Sequence, residues 1–404
     1  MASSNADYDV LIKGGTLIDT LSKTESLADI AISNGRIADI GPNLSGDARC
    51  IVDATGQYVT PGLVDLHTHV YWGSTYWGLE ADPICARTGV TTVVDAGSAG
   101  AYTFPGFKRF IISQSLTRVF SFLHISAIGL TGRTFELSHE ENVDVELAVA
   151  TIQANRDHIK GIKVRVDADT SQGSDKGVKA LKKAREVADA VGLPVMVHIA
   201  KAPPTLEDVV GIMAPGDILT HCCTGHSQSL VDENYRLKPV VEEMRSRGIL
   251  LDLGHGSGSF SWSVAEAMVK QGQLPDVISS DLHQLSALGP LYDLPTTLSK
   301  FLHLGVPLHE VIARATLSPS KAIGCPELGR LHLGGPADIA VFRLEKGEFK
   351  LKDAYFRERV SNIRLVNTLT LRGGKEMPFT QAKEPHPWVL RDVNKVAGLG
   401  EKLR

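Results

Sequence analysis

At 404 residues the chain is long enough to bury a large core, and its 43% hydrophobic and 22% charged content excludes a disordered or fibrous class. A net charge of −4 and a pI near 6.4, with lysines and arginines scattered, exclude the basic footprint of a nucleic-acid binder. No run of about eighteen apolar residues is present to span a membrane. The first eight residues have neither a charged region nor an apolar one, so no secretory signal is expected. Five cysteines (Cys50, Cys85, Cys222, Cys223 and Cys325), odd in number and without Cys-x-x-Cys spacing, argue against a disulfide scaffold and fit a reducing cytoplasm.

Residues 8–59 alternate short β-like runs with turns at Gly14-Gly15, Asn34-Gly35, Gly41-Pro42 and Gly56. Asn34-Gly35 between two alternating runs is the strongest hairpin signal in this part. From about 60 to 328 the texture changes. Continuous Val/Ile/Leu runs at 63–66, 91–95, 120–127, 161–166, 194–199, 217–220, 249–253 and 277–280 read as parallel strands buried on both faces. Helical patterns lie between them, clearest at 176–191, where apolar residues recur at helical spacing before Gly192-Leu193-Pro194. Eight such units match an α/β fold of the (β/α)8 TIM-barrel type. A doubly wound open sheet is the runner-up, but no Gly-x-Gly-x-x-Gly follows a first strand. After residue 328, β-like runs return at 329–342, 350–355 and 363–371. The expected organisation is a small split β-sandwich from 1–59 and 329–379, a barrel inserted at 60–328, and a tail at 380–404 that packs on the surface or on a neighbouring subunit.

The chemistry is expected at the strand ends, which converge on one mouth of a barrel. His67 and His69 in His67-Thr68-His69 project to one side of the first strand. Lys163 stands in strand four, His198 at the end of strand five, His221 after strand six and Asp281 after strand eight. Each alone has a plain structural reading: a hydrogen-bonded histidine, or an N-cap for Asp281. A lysine between Ile162 and Val164 cannot easily stay charged and unpaired. Together the six supply enough ligands for two divalent ions.

These motifs carry a family resemblance: Pro-Gly-Leu-Val-Asp-Leu-His-Thr-His at 61–69, Gly161-Ile-Lys163-Val-Arg165, Val197-His198, Thr220-His221, Ser280-Asp281 and the closing Ala337-Asp338-Ile339. Over about residues 8–375 the chain resembles the amidohydrolase superfamily, in its lysine-bridged binuclear type and its dihydroorotase-like or deacetylase-like subgroup. The resemblance implies a carboxylated Lys163 bridging two metals, with zinc the expected identity. It implies His67, His69 and Asp281 on the more buried ion and His198 and His221 on the second. It further implies a metal-bridging hydroxide as nucleophile, Asp281 as proton carrier, and homo-oligomers as a common state. The adenosine-deaminase-like His-x-x-Glu is replaced by His198-Ile-Ala-Lys201, and the cysteine of the D-aminoacylase-like branch by Asp95-Ala-Gly-Ser98.

Substrate choice is expected in the loops. Arg165, two residues past Lys163, faces the mouth and suits a carboxylate held by two parallel hydrogen bonds, or else an ion pair with an acid such as Asp95. Ser98, His226, His255 and His283 complete the candidate substrate contacts, and Tyr71-Trp72 and Tyr76-Trp77 are a candidate aromatic wall. The expected activity is hydrolysis of an acyl, chiefly acetyl, amide or ester on a small carboxylate-bearing substrate. The alternatives are a cyclic amide hydrolase of dihydroorotase or hydantoinase type, and a non-catalytic assembly relative.

Overall fold

The computed structural model describes residues 6–171 and 174–392. Tyr8–Asp19 (β1) is one strand: the expected turn at Gly14-Gly15 is instead a bulge, with the register shifting between Ile12 and Gly15. Thr24–Ser33 (β2) and Arg36–Gly41 (β3) form the expected hairpin, with Asn34 and Gly35 at φ 53° and 73°. Positive φ at both central residues is what a type I′ turn demands. Ala48–Asp53 (β4) runs parallel to the first half of β1, and Tyr58–Pro61 (β5) to the second half.

Seven parallel strands follow in sequential order: Leu63–Thr68 (β6), Val90–Gly100 (β7), Arg118–His124 (β8), Ile159–Arg165 (β9), Val195–His198 (β10), Ile218–Thr220 (β11) and Leu250–Asp252 (β12). Every residue of β6 and β7 is buried, as their unbroken apolar runs require. The predicted eighth strand at 277–280 is not a strand. Val277 makes an isolated parallel bridge to Asp252 and Leu282 another to Thr68, so this segment joins the two edges of a barrel-like sheet. A ladder is missing because a side chain takes its place: the Ser280 N–H donates to Asp65 Oδ1 at 2.9 Å, and Asp281 then turns to φ 52°. The helix Ser174–Val191 covers one side, burying Leu181, Ala184, Val187 and Val191, and ends where Gly192 adopts φ 67° and its N–H caps Ala188.

Ile339–Lys352 (β13), Glu358–Arg372 (β14) and Lys375–Glu376 (β15) return to the first strands, with β13 pairing antiparallel to β5. Hydrogen bonds link all eight of these strands in one mixed sheet, where two stacked layers were expected. The sheet curls on itself. The Ala337 N–H donates to Gly35 O, and a Cβ on Gly35 would stand 3.0 Å from Gly373 O, so the β2–β3 turn meets the β14–β15 turn across a core of Ile12, Ile30, Val59, Ile339 and Leu371. The described part of the tail, 380–392, lies against the loop that leaves β6: Trp388 Nε1 donates to Tyr76 O, and the Lys383 ammonium sits 3.9 Å over the Trp72 ring.

Candidate metal centre and its cavity

All six predicted donors come together. His67 and His69 have ring centroids 5.5 Å apart, His67 and His221 5.2 Å, and His198 and His221 4.3 Å. Asp281 Oδ1 is 3.2 Å from His69 Nε2 and 3.5 Å from His67 Nε2, and Lys163 Nζ is 3.2 Å from His67 Nε2. His221, just past the end of β11, and Asp281, just before the Leu282 bridge, have φ 73° and 52°. Such positive φ is uncommon outside glycine and persists where surroundings hold it. The surroundings are tight. A Cβ on Gly256 would meet Asp281 Oδ2 at 2.3 Å, and one on Gly97 would meet Lys163 Cβ at 2.7 Å. Gly97 near the end of β7 and Gly256 in the loop after β12 therefore permit close packing against the donors.

The hydrogen bonds fix which ring nitrogens are bare. Thr220 Oγ1 donates to Asp252 Oδ2 at 2.6 Å, so it accepts from His67 Nδ1 at 2.8 Å, leaving His67 Nε2 with a lone pair. His221 Nδ1 donates to Gly254 O at 2.7 Å, which bares its Nε2. His198 Nε2 faces Asp167 Oδ2 at 3.2 Å, which puts the proton there and bares Nδ1. His221 Nε2 and His198 Nδ1 then confront each other at 2.8 Å. Two lone pairs at that distance repel unless a cation lies against them, and histidines fixed through their other nitrogen are the usual metal-ligand arrangement. The residues fit a metal centre.

Electrostatics agree. Burial first, then neighbouring cationic groups, push His67, His69 and His221 well below the ordinary histidine range, keeping them neutral. Burial pushes the Lys163 ammonium down to about 7, against the pull of Asp281 and Asp252, and burial raises the Asp281 carboxyl. Burial would raise Asp167, yet its bonds from His198 and Thr170 hold it down to about 2, so it stays charged behind His198.

The donors line a cavity of about 700 Å³ with Trp77, Arg133, Phe135, His226 and His283. His283 Nδ1 accepts from the Leu285 and Ser286 N–H groups, so its Nε2 carries the proton. Three of the other predicted substrate contacts, Arg165, Ser98 and His255, are committed to partners within the protein. Arg165 lines the cavity, but its Nε and Nη2 donate to both oxygens of Glu136 at 2.7 and 2.6 Å: the bidentate carboxylate is the protein's own. Asp95, the acid suggested for it, instead accepts the Val70 and Ser98 N–H groups. Ser98 is buried with Oγ 3.0 Å from His69 Nδ1, so it steadies a donor. His255 is fully buried outside the cavity lining. Its Nδ1 donates to Gly256 O and its Nε2 accepts Lys300 Nζ at 2.6 Å, bracing the loop beside Asp281. Of the four aromatics only Trp77 lines the cavity; Tyr71 packs on Phe107, Trp72 stacks on His386, and the Tyr76 hydroxyl donates to Asp392. Asp167 was missed although strand alternation from Lys163 and Arg165 points it to the same face. Thr220 and Asp252 were hidden as ordinary strand-end polar residues, and Glu136 and Arg133 sit in a loop with no motif.

The sequence profile described as "Amidohydrolase family" matches residues 58–370. A deacetylase from Brucella anthropi is 38% identical over 335 residues, 82% of this chain and 83% of that protein. A deacetylase from Agrobacterium fabrum is likewise 38% identical over 82% of both chains. Among solved structures, an adenine deaminase is 31% identical with TM-score 0.85, covering 94% of this chain and all of that one. A dihydroorotase is 33% identical with TM-score 0.83, covering 93% of this chain and 98% of that one.

Proposed function

The chain belongs to the amidohydrolase family of hydrolytic enzymes, and from that premise we propose that it removes an acyl group, chiefly acetyl, from an amide or ester on a small carboxylate-bearing substrate. The observation that carries the metal-dependent part is the pair of bare nitrogens on His198 and His221 facing each other at 2.8 Å beside four further donors. The deacetylase names of two relatives, each matched over four-fifths of both chains, support the acyl part.

His67, His69 and Asp281 would hold one divalent ion and His198 and His221 a second, zinc being the proposed identity, with carboxylated Lys163 between them. Burial favours the uncharged Lys163 amine, the form that adds carbon dioxide. When bound, the ions would supply Lewis acidity toward the scissile carbonyl and activate water near neutral pH. The chain's own residues do the rest. Asp281, whose burial raises its affinity for a proton, takes one from the attacking water and returns it to the leaving group. Asp167, Thr220 and Ser98 keep the imidazoles aimed. His283, with its proton on Nε2, is placed on the cavity wall to donate to a substrate oxygen.

Metal analysis of the purified protein, with a screen of N-acetyl and O-acetyl α-substituted acids of both hands, tests this. About two equivalents of divalent metal and turnover confined to such acids are the expected result. Bound metal with no acyl hydrolysis would sink the substrate assignment. Absence of metal together with no turnover would favour the assembly reading. A second reading, cyclic amide hydrolysis, has support in the dihydroorotase likeness at 33% identity, and ring-opening of a dihydropyrimidine or hydantoin added to that screen would select it.

A further inference from the structure

Among the described residues, three lysine or arginine side chains line the cavity: Lys163, Arg165 and Arg133. Lys163 stands among the metal donors. Arg165 is 8% exposed and committed through two short hydrogen bonds to Glu136, itself 3% exposed. Arg133 is the opposite case. Its side chain is 59% exposed, and its Nη1 is 3.6 Å from Asp392 Oδ2, too long for a hydrogen bond. The backbone beneath it is nonetheless anchored. Arg133 O accepts from Arg165 Nη2 at 3.4 Å, and Thr134 Oγ1 donates to Asp169 O at 2.9 Å. Asp392 is fixed in turn by the Tyr76 hydroxyl, on the loop that carries Trp77 into the cavity.

We propose that Arg133, steered by Asp392 of the C-terminal segment, binds the substrate's carboxylate and so determines specificity. This rests on the reading that the substrate is an acylated carboxylate. A guanidinium has five N–H donors, so a distant carboxylate beside one Nη1 does not exhaust it, and its planar fork matches a second carboxylate. Anchored backbone with an exposed head lets the group meet a ligand without disturbing the metal donors. Asp392, far along the chain from every proposed metal donor, then acts from behind the wall, through Arg133, without lining the cavity itself.

The test compares the wild type with Arg133→Ala, Arg133→Lys and Asp392→Asn. Each is assayed on an N-acetyl α-amino acid and on the same compound with its carboxylate converted to a primary amide. Arg133→Ala is expected to raise KM for the acid roughly 10- to 100-fold while kcat stays within about threefold, the scale of a lost charged hydrogen bond. The amide's KM should not move, Arg133→Lys should fall between, and Asp392→Asn should give a smaller rise. Equal losses on acid and amide, or an unchanged KM for the acid, would overturn the proposal. A wild type that hydrolyses only the neutral amide would overturn the carboxylate reading itself, and is recognisable before any variant is made. Metal content and thermal midpoint, measured on each variant, identify a folding defect.

Discussion

The proposed metal donors and the cavity rim both lie at strand ends and in the loops beyond, yet they are held in opposite ways. His67 is fixed through Thr220 to Asp252, His221 through Gly254 O, His198 through Asp167 and His69 through Ser98. Each of the four histidines has its second nitrogen engaged by the protein. On the rim, Arg133 has an exposed head and a distant carboxylate, and the Phe135 side chain beside it is also exposed. Rigid geometry lies at the proposed metal donors, and an adjustable contact lies where we propose that the substrate is chosen.

The contrast can be broken from its firm side first. Asp281→Asn should leave the fold intact, with kcat lowered by about 10³-fold, within the range removal of a proton carrier gives. Near-normal turnover, with circular dichroism confirming the fold, would remove Asp281 from the chemistry. Glu136→Gln leaves the Arg165 guanidinium buried without its charge partner and should cost about 3–5 kcal/mol of stability by denaturant unfolding. Burial would raise the Glu136 carboxyl, but Arg165 beside it holds it far below its ordinary value of 4.5. A depressed acid stabilises the fold fully above its unfolded pKa, and that stability is lost as pH falls toward the folded value. The gap between wild type and Glu136→Gln should therefore be flat from about pH 8 to 6 and narrow below about 4.5. A gap that widened in acid would contradict the pairing.

Thr220→Val removes the acceptor for His67 Nδ1 and should weaken metal binding roughly 10- to 100-fold, read by competition with a chelator. Unchanged affinity would mean that the Asp252 carboxylate, 3.5 Å from His67 Nδ1, serves alone. The smallest effect belongs to the rim. Arg133→Ala should change unfolding stability by no more than about 0.5 kcal/mol, as surface substitutions do. A loss of several kcal/mol there would erase the distinction between the two regions.

Much of this was legible in the sequence, for a physical reason. Strand alternation puts His67 with His69, and Lys163 with Arg165, on common faces, and parallel strands bring their ends together. What escaped was set by contacts between distant segments. Arg165 looked like a carboxylate clamp because its partner, Glu136, lies 29 residues away in a loop without a motif. His255 looked like a substrate contact because Lys300, which claims its Nε2, lies 45 residues on in a helix. The eighth strand failed because Asp65 satisfies the Ser280 backbone that a ladder would otherwise hold, and because Asp281 turns to positive φ. The paired histidines and the hairpin, by contrast, need only their neighbours.

The curled sheet has a consequence for how the chain is made. β5 and β13 pair directly although about 280 residues separate Pro61 from Ile339. At ordinary synthesis rates that interval takes on the order of tens of seconds, during which β1, β3 and β5 exist without the strands that complete their sheet. The parallel strands of the catalytic unit emerge meanwhile, and each can pair with the one before it. The halves of the mixed sheet then meet last, so β5 spends synthesis as an open edge. The clasp that completes the mixed sheet, β13 on β5, therefore becomes available only after every strand of the parallel sheet has been made.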